Sequence, residues 1–312
     1  MGSPASGRSV KRVLPLAFVG LGLIWGSSFL WIKIGIEEMD PATLVAYRVT
    51  VAAAAMLLYL RATGQRISLQ PRELAPLAVL GLIATSLPIF LISWGEQYID
   101  SGTAAVLNSL VPIFSLIIAG MIMHVESVTL VRVVGVLTGF VGTAVLASRE
   151  FAARGDALAL LGAAAVVVAS VSYALGGIYS RSRIQGTPRY VVAGGNLTFG
   201  AIYMWIYVLA TGADPALPTH LGSIVAVLWL GLLGSFLAFI LFYYLLTHLE
   251  TTVATMVTYL FPVVGVALGV LFLGELLDAR LMLGTTLVVV GIVVVSLRYD
   301  QIVRRWAGLR AR

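Results

Sequence analysis

The sequence predicts an all-α membrane protein of ten transmembrane helices in two five-helix inverted repeats, with both termini on the inner side. Apolar runs of about 20 residues, the length that crosses a hydrocarbon core, recur ten times between short polar connectors. Of the 312 residues, 60% are hydrophobic and 11% charged, too few polar side chains to coat a water-soluble surface. Residues 102–150 are echoed in 252–300. At an offset of 150, Ala104, Leu110 and Pro112 fall on Ala254, Leu260 and Pro262; after a one-residue slip, Glu126, Gly135, Gly142 and Arg149 fall on Glu275, Gly284, Gly291 and Arg298.

The segments are expected at 14–34, 43–61, 75–97, 102–122, 129–147, 157–179, 190–210, 221–246, 252–273 and 280–297. The first follows a short basic stretch, Met1 to Val13, and the run from Leu14 to Ile36 is too long for a cleaved signal, so it is read as a retained helix. The second opens at Pro41 and the seventh at Pro188, an offset of 147. The third and eighth carry matched stripes four residues apart, and the fourth and ninth each contain a proline, Pro112 and Pro262. The fifth ends in a charged connector, Arg149 to Asp156, which divides residues 1–150 from 151–312 as the two repeats. The sixth opens the second repeat, with Tyr173-Ala174 at the place of Trp25-Gly26.

Charge sets the orientation. Of the twenty Lys and Arg residues, fifteen fall in the termini and even-numbered loops, four (Lys33, Arg149, Arg154, Arg280) in the odd-numbered loops, and Arg48 within the second segment. The positive-inside rule then places both termini inside, and an odd number of helices per repeat makes the halves inverted. The net charge of +6 needs no nucleic-acid partner. Cysteine is absent, which removes disulfides and thiolate metal sites, and no metal or cofactor is expected.

Candidate transport residues lie on the repeat-equivalent helices. The stripes are Ser86, Phe90, Trp94 and Tyr98 in the third segment, and Phe236, Ile240, Tyr244 and His248 in the eighth. Because the two segments run in opposite directions, Trp94 and Tyr98 are placed as an outer gate, and Tyr244 and His248 as an inner one; the competing account is the aromatic belt at the membrane interfaces. Pro112 and Pro262 each remove a helical hydrogen bond, which predicts kinked helices with exposed carbonyls at a watery site. Asn108 and Ser109 lie near the first proline, and Thr255, Thr258 and Tyr259 near the second. Trp25, Ser28 and Tyr173 are expected to form an aromatic wall with polar groups. Asn108 and Asn196 are amides at depth that need partners. Arg48 reads as a structural charge that snorkels or pairs with Glu37, Glu38 or Asp40, with binding of a substrate carboxylate as the alternative.

All fourteen acids fall in loops or at helix ends, so no carboxylate is expected at mid-depth to carry a proton or sodium ion. That favours a neutral or zwitterionic solute moved down its gradient.

Trp25-Gly26-Ser27, Arg48, Asn108-Ser109-Leu110-Val111-Pro112, Tyr259-Leu260-Phe261-Pro262 and Gly274-Glu275 resemble the motifs of the drug/metabolite transporter superfamily, and within it the ten-helix exporters of the EamA type. The likeness spans about Leu14 to Arg298 and extends to the bacterial aromatic amino acid exporters. His124-Val125-Glu126 departs from the usual Gly-Glu. The resemblance implies a central cavity lined by the first, third, fourth, sixth, eighth and ninth helices, in a monomer of the bacterial inner membrane that exports neutral and aromatic amino acids. The alternative is export of a sugar, nucleotide or drug, with proton coupling. A membrane enzyme is disfavoured because His124, His220 and His248 are scattered through separate connectors, and a channel because opposed gates are expected.

Overall fold

The computed structural model describes residues 5–65, 67, 70–118, 129–184, 186–212, 215–248 and 256–296. Among the described residues every regular element is helical: α1 (Ala5–Gly35), α2 (Pro41–Ala62), α3 (Pro71–Gly95), α4 (Ser101–Leu116), α5 (Leu130–Arg154), α6 (Ala157–Arg183), α7 (Arg189–Thr211), α8 (Leu221–Leu245), α9 (Val257–Leu273) and α10 (Ala279–Ser296). Seven of these, α1 to α3 and α5 to α8, are long and apolar enough to cross a membrane, and the other three are shorter apolar helices.

Local chemistry sets the boundaries. Asp40 caps α2 by accepting the Ala42 amide at 2.8 Å ahead of Pro41, whose missing N–H costs nothing in a first turn. Asp156 caps α6 through the Leu158 amide at 2.9 Å. Gly155 follows α5 with φ +65° and Gly274 follows α9 with φ +67°, left-handed backbone that glycine adopts without a Cβ clash. The charged connector expected at Arg149 to Asp156 therefore shrinks to Gly155 and Asp156. The helix continues through Arg149 and Glu150 because both side chains find partners inside the protein.

Two pairs of helices are interrupted. In α4 the helix stops at Asn108 and resumes at Val111. In α9 a 3₁₀ turn, Met256–Tyr259, precedes Leu260–Leu273. The prolines thus open second half-helices instead of kinking continuous ones: with no N–H to offer, each occupies a first turn where none is required. The other pair is α3 and α8, which loosen into π-turns at Gly81–Ser86 and Trp229–Leu237.

Packing follows close approach. The most extensive pairings are α5 with α10, α3 with α6, α1 with α8, α2 with α7, α1 with α9 and α3 with α7; smaller ones join α4 to α6, α4 to α9 and α2 to α8. A Cβ on Gly142 would stand 2.8 Å from the Gly284 carbonyl oxygen, and one on Gly291 2.6 Å from the Gly139 nitrogen, so α5 and α10 touch backbone to backbone. α4 is buried on all sides from Ser101 to Leu110. In contrast, α5 turns Leu130, Leu137 and Val141 outward, as expected for a face that meets lipid.

Candidate functional site

The π-turns carry the polar groups of the interior. Gly81 and Gly231, one in each π-turn, are 150 residues apart, and so are Thr85 and Ser235. Thr85 Oγ1 donates to Asn196 Oδ1 of α7 at 2.7 Å. Ser235 Oγ accepts from Arg48 Nε of α2 at 3.0 Å. The neighbours match as well: a Cβ on Gly81 would meet the Asn196 carbonyl oxygen at 3.1 Å, and one on Gly231 the Arg48 carbonyl oxygen at 3.1 Å. Arg48 and Asn196 therefore occupy equivalent places, one cationic and one neutral.

Around Arg48 the interior is mixed in character. Trp25 Nε1 donates to the Gly234 carbonyl at 3.1 Å, and its ring packs on Phe242 and Phe261 with centroids 5.4 and 6.1 Å away. Ser28 is buried, donates to the Ile24 carbonyl at 3.1 Å and faces Gly234. Tyr173 packs against the apolar clusters on both sides, and the Arg48 charge acts on it and on Glu96. A buried guanidinium, the hydroxyls of Ser28 and Ser235 and several rings thus converge where α8 has relaxed hydrogen bonding.

Arg48 does not snorkel to the helix end. Glu38 is taken by the Thr219 amide and hydroxyl, each at 2.7 Å, and Asp40 by its cap, so neither is its partner. The Thr219 hydroxyl and amide, with Ser223 and the His220 amide, push the half-buried Glu38 carboxyl down to about 2.

At the end of the bundle that bears these acids, ion pairs tie the segments together. Arg149 bonds Asp100 and Asp278 at 2.8 Å each and Glu150 at 2.7 Å. Glu150 also accepts from the Thr103 hydroxyl, and Glu275 accepts the Ser101 and Gly102 amides at 2.6 and 2.9 Å, so carboxylates meet the N-terminus of α4. Burial works against the Asp278 charge, but the Leu281 amide and Arg149 hold that carboxyl below its usual range. Two of the helix-end acids are enclosed at this end of the bundle: Glu96 is 0% exposed and Glu150 1%.

The remaining sequence candidates are dispersed. Ser86 spends its hydroxyl on the Gly81 carbonyl of its own π-turn at 2.6 Å. Phe90 packs on Tyr207, and Trp94 on Tyr98. Phe90 and Trp94 line a peripheral groove of about 600 Å³ with Asp40, Gln97 and Thr211, apart from Arg48. Asn108 is buried and accepts from Ser170 Oγ at 3.4 Å; the same hydroxyl reaches the Leu107 carbonyl, near the break in α4. Tyr244 and His248 stack with centroids 4.4 Å apart, His248 being exposed. Tyr259 donates to the Ile292 carbonyl at 3.3 Å. Thr255, His124-Val125-Glu126 and Leu249-Glu250-Thr251 lie outside the described residues. Sequence reasoning missed Lys33, Glu96 and Ser235; the matched position of Ser235 and Thr85 beside two deep polar residues was the available signal.

The profile of the EamA-like transporter family matches this chain twice, at residues 14–148 and 160–297. An uncharacterized inner membrane transporter of Escherichia coli K12, YedA, is 31% identical over 293 residues, covering 92% of each chain. The uncharacterized transporter YoaV of Bacillus subtilis is 24% identical over 89% of this chain and 94% of its own. A probable terminal-alkyne amino-acid exporter of Streptantibioticus cattleyicolor is 27% identical, covering 88% of this chain and 90% of its own. A crystal structure of a protein 20% identical in sequence superposes with a TM-score of 0.66 over 93% of this chain and 99% of that one, a likeness of fold.

Proposed function

Taking as premise that the chain belongs to the EamA-like transporter family, whose members are membrane transporters and not enzymes, we propose that it exports neutral and aromatic amino acids by alternating access. The observation that carries this reading is Arg48, buried at 7% exposure and held by Ser235 beside Trp25 and Tyr173. A guanidinium addresses an α-carboxylate, rings take an apolar side chain, and Ser28 supplies a further polar contact. The similarity to a probable amino-acid exporter agrees with that chemistry.

The architecture we propose for this function is ten membrane helices in two inverted repeats, residues 1–150 and 151–312, with both termini inside, as a monomer in the bacterial inner membrane. The double match of the family profile supports it. So does the pairing of helices, which is preserved when each of α1 to α5 is exchanged with the helix five places later: α5 with α10, α2 with α7 and α4 with α9 map on themselves, and α3 with α6 maps on α8 with α1. With this orientation the ion-paired end faces outward and is shut. Hairpins α3/α4 and α8/α9 then rock about the site, with the breaks near Pro112 and Pro262 as hinges, and Trp94 with Tyr98, and Tyr244 with His248, as the opposed gates.

The test is exchange of labelled phenylalanine, threonine and methionine by the purified chain in liposomes. Saturable flux lost in Arg48→Ala and Trp25→Ala is the expected result. No amino acid flux with a folded chain overturns the cargo and redirects the search to sugars, nucleotides and drugs.

A further inference from the structure

Glu96 differs from every other acid at the closed end. It sits at the C-terminus of α3, is 0% exposed, and neither carboxyl oxygen has a hydrogen-bond partner. One turn earlier Ser93, also 0% exposed, has an unpartnered hydroxyl. Buried Glu150, in contrast, accepts from Thr103, Arg149 and the Asp100 amide.

The charged groups acting on Glu96 are Lys33 of α1, Arg48 of α2 and Glu275 after α9. Lys33 donates to the backbone carbonyls of Glu96 and Ile99, and Arg48 Nε to Ser235. Glu275 is occupied by the α4 amides. An ionised carboxylate enclosed without a single donor costs several kcal/mol, whereas the neutral acid is tolerated.

We propose that Glu96 is a proton-binding site: one carboxyl oxygen holds a proton while this end of the bundle is closed, and passes it to water when the end opens. Opening restores the hydration that burial removes, which is the largest cause holding the acid neutral, and Lys33 and Arg48 favour the anion in both states. Transport is thereby linked to protons, the coupling that the helix-end position of the acids had disfavoured. The inference rests on the transporter reading but not on the identity of the cargo.

The test uses the full chain in lipid nanodiscs. Infrared spectra at neutral pH record the protonated-carboxyl stretch, and spin labels on cysteines placed at Gln97 and Leu277 record opening of this end as pH is raised. The expected result is a protonated-carboxyl band that disappears in Glu96→Gln and persists in Glu38→Gln. The open population should rise up to about tenfold per pH unit, as release of one proton requires, and this dependence should vanish in Glu96→Gln. If that variant does not fold, Glu96→Asp, which keeps the carboxyl, should retain both the band and the pH dependence at a displaced midpoint. A band unchanged by Glu96→Gln, or opening with the same pH dependence in that variant, overturns the proposal; for Glu96→Asp, loss of the pH dependence does so. Failure of all three amino acids to move while these signals hold removes the cargo reading and leaves the proton site standing.

Discussion

Thr85 Oγ1 donates to Asn196 Oδ1 at 2.7 Å, and the equivalent contact across the bundle joins Ser235 to Arg48 at 3.0 Å. The shared frame presents an amide on one side and a guanidinium on the other. That asymmetry gives one side of the interior an anion-binding group.

The first expectation concerns this contact. Arg48→Lys keeps the charge but loses the planar fork that meets Ser235. Hydrogen bonds to charged groups are worth about 1.5–3 kcal/mol, so the KM for amino acid exchange should rise roughly tenfold or more. Ser235→Ala should have a smaller effect in the same direction. An unchanged KM in Arg48→Lys would assign Arg48 a purely structural part.

Packing of α5 on α10 supplies the second. Gly142→Ala and Gly291→Ala each drive a Cβ into backbone at 2.8 and 2.6 Å and should destabilise the chain by about 1–3 kcal/mol. Gly20→Ala, which meets nothing within 4 Å on α1, should instead be neutral or stabilising by up to about 1 kcal/mol. Melting in detergent of the three variants gives the comparison, and equal shifts would refute the backbone contact.

The closed end supplies the third. Glu275→Gln weakens the link between a carboxylate and the Ser101 and Gly102 amides, where a helix N-terminus favours negative charge. Because the chain has no native cysteine, spin labels at Gln97 and Leu277 report this region cleanly. The long-distance population should grow in Glu275→Gln, and an identical distribution would deny the latch.

Acid titration supplies the fourth. The Glu38 carboxyl is lowered from 4.5 to about 2 by Thr219 and its neighbours. A group depressed on folding stabilises above its unfolded value, and that stabilisation fades as pH falls from about 4.5 through about 2. The difference in Tm between the parent and Glu38→Gln should be constant near neutrality and shrink below about pH 4.5. Partial exposure and salt keep it small, and a difference that grows in acid would contradict the contact.

Finally, Pro112→Ala and Pro262→Ala restore a donor at the start of each second half-helix. Each adds up to about 1 kcal/mol in favour of a continuous helix, enough to slow exchange about fivefold. Exchange at the parental rate in both variants would remove the hinge.

Much of the site was legible because repeats reveal equivalent places. Trp25 and Ser28 both reach Gly234 and Tyr173 lies within range of the Arg48 charge, and the prolines do mark interrupted helices. In the third-segment stripe Ser86 bonds back to the Gly81 carbonyl while Phe90 and Trp94 line a peripheral groove, placements that depend on which helices pack beside α3. The enclosure of Glu96 was not legible, because an acid at a helix end has water nearby unless other segments cover it.

The sequence by itself determined the environment, the helices and the family likeness, for these follow from apolar length, composition, proline position and internal repetition, all readable locally along the chain. Only the tertiary structure decided which polar groups meet. Arg48 faces Ser235 across 187 residues, and Glu96 lies with Lys33 and Arg48 where burial strips its water. Contact and desolvation depend on which helices pack together, a property that no single segment contains.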